Sequence, residues 1–202
     1  MGEILVLIDH VNGTISKPSL ELLTLGRRFG EVSAVLLSTE RATAENIDVL
    51  GRFGASRVFA VTAPEFDHYL VVPKVDALAR IATTASPTAI LTTAASDARE
   101  IAARVAVRLD LGLITDAIDV VAGSVGEIIV TQGAFGSSYR LTSCVTSGTA
   151  VVVVKPNVLP IEEHVVTPQV DEVQMAFDNL ASVARVVHRE IRQGTGRPNL
   201  TE

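Results

Sequence analysis

The sequence predicts an α/β protein: a three-layer, mostly parallel sheet with helices on both faces and a β-rich C-terminal part. Three observations lead there. Continuous apolar runs, Ile4–Ile8 and Val151–Val154 among them, suit strands buried on both faces. Such runs alternate with segments of helical period through the first half of the chain. Hydrophobic residues make up 48% of the 202, aromatics only 4%, and Trp is absent. A core of Ala, Val, Leu and Ile fits parallel strands under Ala-rich helices better than an aromatic-rich sandwich.

The elements follow in order. Ile4–Ile8 is the first strand, Asn12-Gly13 a turn, and Pro18 opens a helix in which Leu22, Leu25 and Phe29 share a face until Gly30 stops it. Val32–Leu37 is the second strand, and Thr43–Gly51 a short helix with Ile47 and Leu50 inward. Val58–Val61 is the third strand, followed by a helix over Pro73–Ala82 that carries Val75, Leu78 and Ala82. Ala89–Leu91 is the fourth strand, and Asp97–Leu109 the fourth helix. Asp97 is placed to cap that helix, with Glu100 three residues on in a capping-box arrangement. Ile101, Val105 and Leu109 form its apolar stripe, and Arg104 and Arg108 lie on another face. Four β-α cycles in succession make the fold Rossmann-like.

After Leu109 the pattern changes. Residues 112–154 are β-rich and punctuated by glycine, with strands at Ile128–Val130, Tyr139–Leu141 and Ala150–Val154. Pro156, Pro160 and Pro168, with the acidic pairs Glu162-Glu163 and Asp171-Glu172, mark an exposed excursion or linker. A last strand is expected at Val183–Val187, ahead of the polar end Gln193–Pro198. The expected organisation is one domain over 1–192, with an α/β body at 1–155 and an excursion with its return strand at 156–192. Residues 193–202 then begin a linker.

Composition excludes several functions. Seventeen Lys and Arg against twenty-three Asp and Glu give a net charge of −6. The sequence has no basic run, which argues against nucleic acid and acidic membranes as partners. The single cysteine, Cys144, cannot form an internal disulfide and fits a reducing compartment. The start Met1-Gly2-Glu3-Ile4 lacks the basic region of a signal peptide, so a cytoplasmic location is expected.

Three constellations could carry chemistry. Gly123 and Gly126, a nine-residue spacer, then Gly136-Ser137 match the glycine spacing of universal-stress-type ATP-binding domains. There, loop amides and a Ser/Thr meet one triphosphate because a helix fills the spacer. Here the spacer begins Glu127-Ile128-Ile129-Val130-Thr131, which reads as a strand, and turn glycines are the default. Thr92–Ser96 leads from a strand end into helix amides with Arg99 in the first turn, an anion site unless Asp97 fills the amides itself. Asp9-His10 follows the first strand. It could be an acid–base pair, but neighbouring strand residues face opposite ways, which favours His10 bonding to the following turn. His68, His164 and His188 show no metal-ligand spacing, and Cys144, in a strand-like run, is expected to be a buried inert thiol. No catalytic residue, cofactor ligand or metal ligand is assigned, and self-contained catalysis is not expected.

The order of segments resembles the alpha subunit of electron transfer flavoproteins. The similarity starts at Ile4–Gly13 with Leu20-Glu21-Leu22-Leu23 and continues through Gly51–Val58 and Tyr69–Pro73. It is strongest at Thr92–Arg104, and Gly112–Asp116 and Thr131–Phe135 extend it. The resemblance implies an adenine-nucleotide-hydrolase-like fold and one half of a heterodimer with a beta subunit. It implies a carrier of electrons from acyl-CoA and other dehydrogenases, as in fatty acid beta-oxidation, to a membrane quinone oxidoreductase. It also implies FAD held mainly by a second domain of the alpha subunit, with AMP on the beta subunit. The tail Arg197-Pro198-Asn199-Leu200-Thr201-Glu202 is similar to the linker that precedes the FAD domain. No flavin-binding residue therefore carries over, and FAD is not expected on this chain alone. The expected role is to dock the beta subunit and support the FAD domain, with a hinge after Gly194. A stand-alone universal-stress-type adenine-nucleotide-binding domain is the alternative.

Overall fold

A computed structural model describes residues 2–11, 13–124, 126–178, 180 and 183–190. In chain order the elements are β1 (Gly2–Ile8), β2 (His10–Val11), β3 (Thr14–Ile15), α1 (Lys17–Gly26), β4 (Gly30–Ser38), α2 (Ala44–Arg52), β5 (Ala55–Thr62), α3 (Glu65–His68), α4 (Val72–Ala85), β6 (Ala89–Thr93), α5 (Ser96–Leu109), β7 (Gly112–Ala122), β8 (Ile128–Ala134), β9 (Tyr139–Cys144), β10 (Ala150–Val154) and β11 (Gln169–Glu172). Nine strands form one sheet in the order β11-β5-β4-β1-β6-β10-β7-β8-β9. Pairing is parallel from β11 to β7 and antiparallel from β7 to β9. The predicted three-layer, mostly parallel α/β fold is the one observed.

Period-two alternation in β1 sorts its side chains between two cores. Leu5 and Leu7 pack with Val75 and Leu78 of α4 and Ile101 and Val105 of α5. Ile4, Val6 and Ile8 pack with Leu22, Leu23 and Leu25 of α1 and Leu50 of α2. β10 is buried at every position because the chain returns after β9 to insert it between β6 and β7. That position explains the unbroken valine run.

Several expectations are corrected. The first helix ends at Gly26, and Gly30 belongs to β4. Gly30 pairs with Gly2, and a Cβ on it would lie 1.8 Å from the Gly2 carbonyl oxygen, so close backbone approach is what demands glycine there. Val183–Val187 is not a strand. Among the described residues it makes one isolated bridge, Arg185 to Tyr69, and Val187 is exposed. The edge strand on that side is instead β11, parallel to β5.

The proline-bearing stretch runs as a strap along the β5 side. Glu162 bonds through its backbone to Thr24 and Arg27, His164 N–H donates to the Arg52 carbonyl, and Val166 N–H donates to the Gly51 carbonyl. Val173, Met175 and Phe177 then reach the α4–α5 core, and the Phe177 ring meets Phe66 edge-on at 5.7 Å. The linker expected at 193–202, with its hinge after Gly194, lies outside the described residues.

Candidate functional site

An open parallel sheet offers a crevice where connections leave neighbouring strands in opposite directions. From β1 the sheet grows through β4 and β5 on one side, and β6 flanks β1 on the other. A cavity of about 550 Å³ opens at the carboxyl ends of these strands. Asp9 and His10 line it from the β1 end, Ser38–Thr43 from the β4 end, and Asn46, Asp67, Lys74, Asp97 and Arg189 from the surrounding helices and tail.

The structure brings Asp9 and His10 together, contrary to the expectation that they face apart. β1 ends at Ile8, so the strict alternation of a strand no longer separates them. His10 does not bond the following turn through its side chain. Its Nε2 donates to the Leu37 carbonyl at 2.9 Å, while its buried Nδ1 meets no hydrogen-bond partner. Burial pushes the Asp9 carboxyl above the usual carboxylate range; His10 and Lys74 oppose that rise, and Asp97 adds to it.

Asp97 is not a cap. The helix begins one residue earlier than the sequence suggested, with Ala95 at the N-cap and no side-chain cap bond. Asp97 therefore sits inside the first turn, where its carboxylate pairs with Lys74 Nζ at 3.7 Å. Glu100 pairs with Arg104 at 2.7 Å instead of reaching back to the cap. Arg99 turns away toward Asp116, at 3.4 Å.

The cations of the cavity wall are matched by carboxylates. Arg41 makes a forked contact with Glu172 at 2.6 and 2.7 Å, Lys74 faces Asp97, and Arg189 meets Asp67 at 3.1 Å. Hydroxyls at the rim serve the backbone: Thr43 Oγ1 caps α2 by accepting from Asn46 N–H, and Ser38 accepts from Glu40 N–H. A flavin pyrophosphate here would meet α5 amides flanked by Asp9 and Asp97, with the neighbouring cations already engaged. These residues do not fit that group. What the crevice offers is a polar wall whose cations are tied to carboxylates, with His10 Nδ1 a buried polar atom that meets no partner among the described residues.

The glycine pattern comes apart in three dimensions. Gly123 and Gly126 form the β7–β8 turn, where Gly126 N–H donates to the Gly123 carbonyl. Gly136 and Ser137 lie in the β8–β9 turn at the other end of β8. Seven residues of strand hold the two turns roughly 23 Å apart, so they cannot share one triphosphate. Cys144 is exposed on β9 rather than buried, because β9 is the last strand of the sheet. His68 and His164 act through their backbones, accepting from Val186 N–H and donating to the Arg52 carbonyl.

Sequence reasoning missed Lys74, Asn46, Asp67 and Arg189. Lys74 was accessible in principle, since it follows Pro73 at the start of a helix leaving the strand carboxyl ends. Arg189 was not, because it comes from a tail segment with no pattern of its own.

Comparison with known proteins agrees with the segment order. The model of the electron transfer flavoprotein domain family matches residues 4–178. An electron transfer flavoprotein subunit alpha of Mycobacterium tuberculosis is 34% identical over 162 residues, covering 80% of this chain and 50% of that protein. The subunit alpha of Mycobacterium leprae is 39% identical, over 67% of this chain and 42% of that one. The lactate dehydrogenase (NAD(+),ferredoxin) subunit LctC of Acetobacterium woodii is 27% identical, over 93% of this chain and 46% of that one. The chain thus spans about half the length of the curated relatives it matches. Family match, shared identity and an α/β sheet carrying the matched segments in order together make this chain a member of the electron transfer flavoprotein family, with a domain of the alpha-subunit type.

Proposed function

We propose that this chain is the N-terminal scaffold of an electron transfer flavoprotein alpha subunit. It docks a beta subunit and supports the FAD domain while electrons pass from acyl-CoA and other dehydrogenases to the quinone pool. The observation that carries this reading is the extent of the family match, 4–178, which takes in all of the sheet but the first two residues of β1. The chain spans about half of each relative, and the reading assigns flavin binding to other parts of the assembly. AMP belongs on the beta subunit.

The chemistry of the crevice supports a carrier scaffold over a self-contained catalyst. Its cations are tied to carboxylates and its rim hydroxyls to backbone amides, so little is left to bind and polarise a substrate. The test is purification of this chain alone and mixed with a beta-type subunit. The reading expects a one-to-one complex with the beta-type subunit and no flavin absorption band from the chain by itself. A saturable flavin band on the chain alone, or stoichiometric ATP or AMP binding lost on Gly126 or Gly136 substitution, overturns it.

A further inference from the structure

The chain that follows β11 falls into two parts that are held very differently. From Asp171 to Phe177 every second residue is shielded from solvent, and Val173 N–H donates to the Ala60 carbonyl at 2.9 Å. Val173, Met175 and Phe177 pack against the α4–α5 core, and Phe177 is the last of the described residues to reach either core. Residues 183–190 come next. Six of these eight are exposed, and only Val183 and Val186 are partly shielded.

Among the described residues, the bonds from 183–190 to the body all fall on 67–70, the stretch that leads from α3 toward α4. Leu70 N–H donates to the Ala184 carbonyl at 3.2 Å, and Val186 N–H donates to the His68 carbonyl at 2.9 Å. Those two bonds make Tyr69 and Arg185 a non-hydrogen-bonded antiparallel pair. Arg189 then meets Asp67 at 3.1 Å, with both side chains 59% exposed, and lines the cavity from there. Each such bond replaces one made to water and returns little, and an exposed ion pair returns less. Against them stands the entropy of ordering eight residues, with only two half-shielded valines to help. The balance is small, so this segment can open while the sheet stays intact.

We propose that residues 183–190 are a latch, which docks on 67–70 and leaves it as a unit, with Phe177 as the fixed anchor and Arg189–Asp67 as the closing contact. Shut, the latch supplies Arg189 to the crevice wall. Open, Asp67 loses that partner and the crevice widens on the α3 side. The open tail also reaches further: Arg189 lies twelve residues past Phe177, so it can stand up to about 40 Å from that anchor. The pivot of the tail then lies just after Phe177, earlier than the hinge expected after Gly194. Under the scaffold reading, on which this last consequence alone rests, the tail leads to the FAD domain. The latch then sets whether that domain is held at the crevice mouth or released on a long tether.

Native-state hydrogen exchange of the 202-residue chain tests the latch. Neither flavin nor a beta subunit is present, so failure of the latch is separate from failure of the scaffold reading. The Leu70 amide sits on the body and the Val186 amide on the tail. Both should show matched, partial protection and exchange by a local route that urea below the unfolding transition does not accelerate. Leu5, in the central strand, should exchange only by the urea-sensitive global route. Asp67→Asn should speed exchange at Leu70 and Val186 by about 1.4- to 5-fold, the change that loss of one exposed ion pair converts to, and leave Leu5 as it was.

Two further variants, both in a Cys144→Ser background, measure the latch directly. Tyr69→Cys with Arg185→Cys places cysteines at a non-hydrogen-bonded pair, where Cα atoms lie close enough for a disulfide. Oxidised, this lock should slow Leu70 and Val186 until they exchange with Leu5. Spin labels on Val187→Cys and Asp48→Cys, both exposed positions, should give two distance populations, the longer one gaining weight with Asp67→Asn. Exchange of Leu70 and Val186 by the global route in the unlocked chain overturns the proposal, because the segment is then a fixed part of the fold. Amides without protection, or a single label distance, overturn it too, since a segment with one state is no latch. Rates unmoved by Asp67→Asn remove the closing contact and overturn it as well.

Discussion

Gly51→Ala separates tertiary packing from helix propensity, because the two act with opposite sign. Gly51 lies near the end of α2, and in isolation alanine there stabilises a helix by about 0.8–1 kcal/mol. The strap reverses that expectation. A Cβ on Gly51 would stand 2.6 Å from the Val166 carbonyl oxygen and 2.8 and 2.9 Å from the Pro168 ring. Neither neighbour is a flexible side-chain tip, so the strap must lift. Lifting it strains or breaks two backbone bonds, His164 N–H to Arg52 at 2.8 Å and Val166 N–H to Gly51 at 3.0 Å. At about 0.5–1.5 kcal/mol each, with a similar overpacking cost, the loss is about 2–4 kcal/mol. After the propensity gain the net destabilisation is about 1–3 kcal/mol, a fall in Tm of roughly 2–12 °C for a chain of this length. Thermal melts of Gly51→Ala beside Asp48→Ala, an exposed position on the same helix, measure it. A Tm for Gly51→Ala equal to or above wild type would refute the strap contact, since propensity alone predicts that outcome.

Other perturbations probe the core, the charges and the cavity. Leu5→Ala, in a fully buried position of the central strand, should cost about 2–5 kcal/mol by denaturant titration. Glu172→Ala, which removes an exposed partner of Arg41, should leave the melting temperature nearly unchanged while raising hydrogen exchange in 169–173. Hydrogen bonds from Arg57 and then Gln169 hold Asp171 below the usual carboxylate range, and Arg41 does the same for Glu172. Their folded-state values are depressed, so their stabilisation is present above the unfolded carboxylate values near 4 and is lost as pH falls through the folded ones. Exchange at pH 3 should therefore release β11 before the central strands. Asp9 has the opposite sign: burial raises its folded value, so its ionised form opposes folding at neutral pH and the penalty disappears in acid. Asp9→Asn should raise the melting temperature at pH 7 and show no advantage at pH 3.

What the sequence disclosed about the fold depended on burial. Strands covered on both faces, β1, β4, β6 and β10, declared themselves as apolar runs because every side chain must leave water. β11 did not, since Gln169-Val170-Asp171-Glu172 is held by backbone pairing to β5 and by two arginines distant in sequence. Val183–Val187 misled for the converse reason: β-branched residues suggest a strand, but a strand needs a neighbour along its length, and this segment has one bridge. Cys144 was misjudged because strand pattern says nothing about which strand is last. At the site, Asp9, His10 and Asp97 were legible from their places at strand and helix ends. Their partners Lys74 and Arg189 come from other connections, and only the folded sheet brings them to one wall.

The crevice and the two sheet edges assign the work differently from what topology alone would suggest. A doubly wound sheet provides a ligand crevice at its switch point whatever its side chains, because the connections diverge there. In this chain that crevice is lined by paired charges, Lys74 with Asp97, Arg41 with Glu172 and Arg189 with Asp67, joining α4 to α5, the β4 end to the strap and the tail to α3. Each pair links segments far apart in sequence, which holds loops in place more than it prepares them for a substrate. Beside the unpartnered His10 Nδ1, uncommitted groups among the described residues lie along the outer edge of β9, the last strand of the sheet, and on the exposed rings of Phe135 and Tyr139. Under the proposed scaffold role, partners would meet surface that can still form bonds. Substitutions in the crevice should therefore change stability, and substitutions in the hairpin should change assembly.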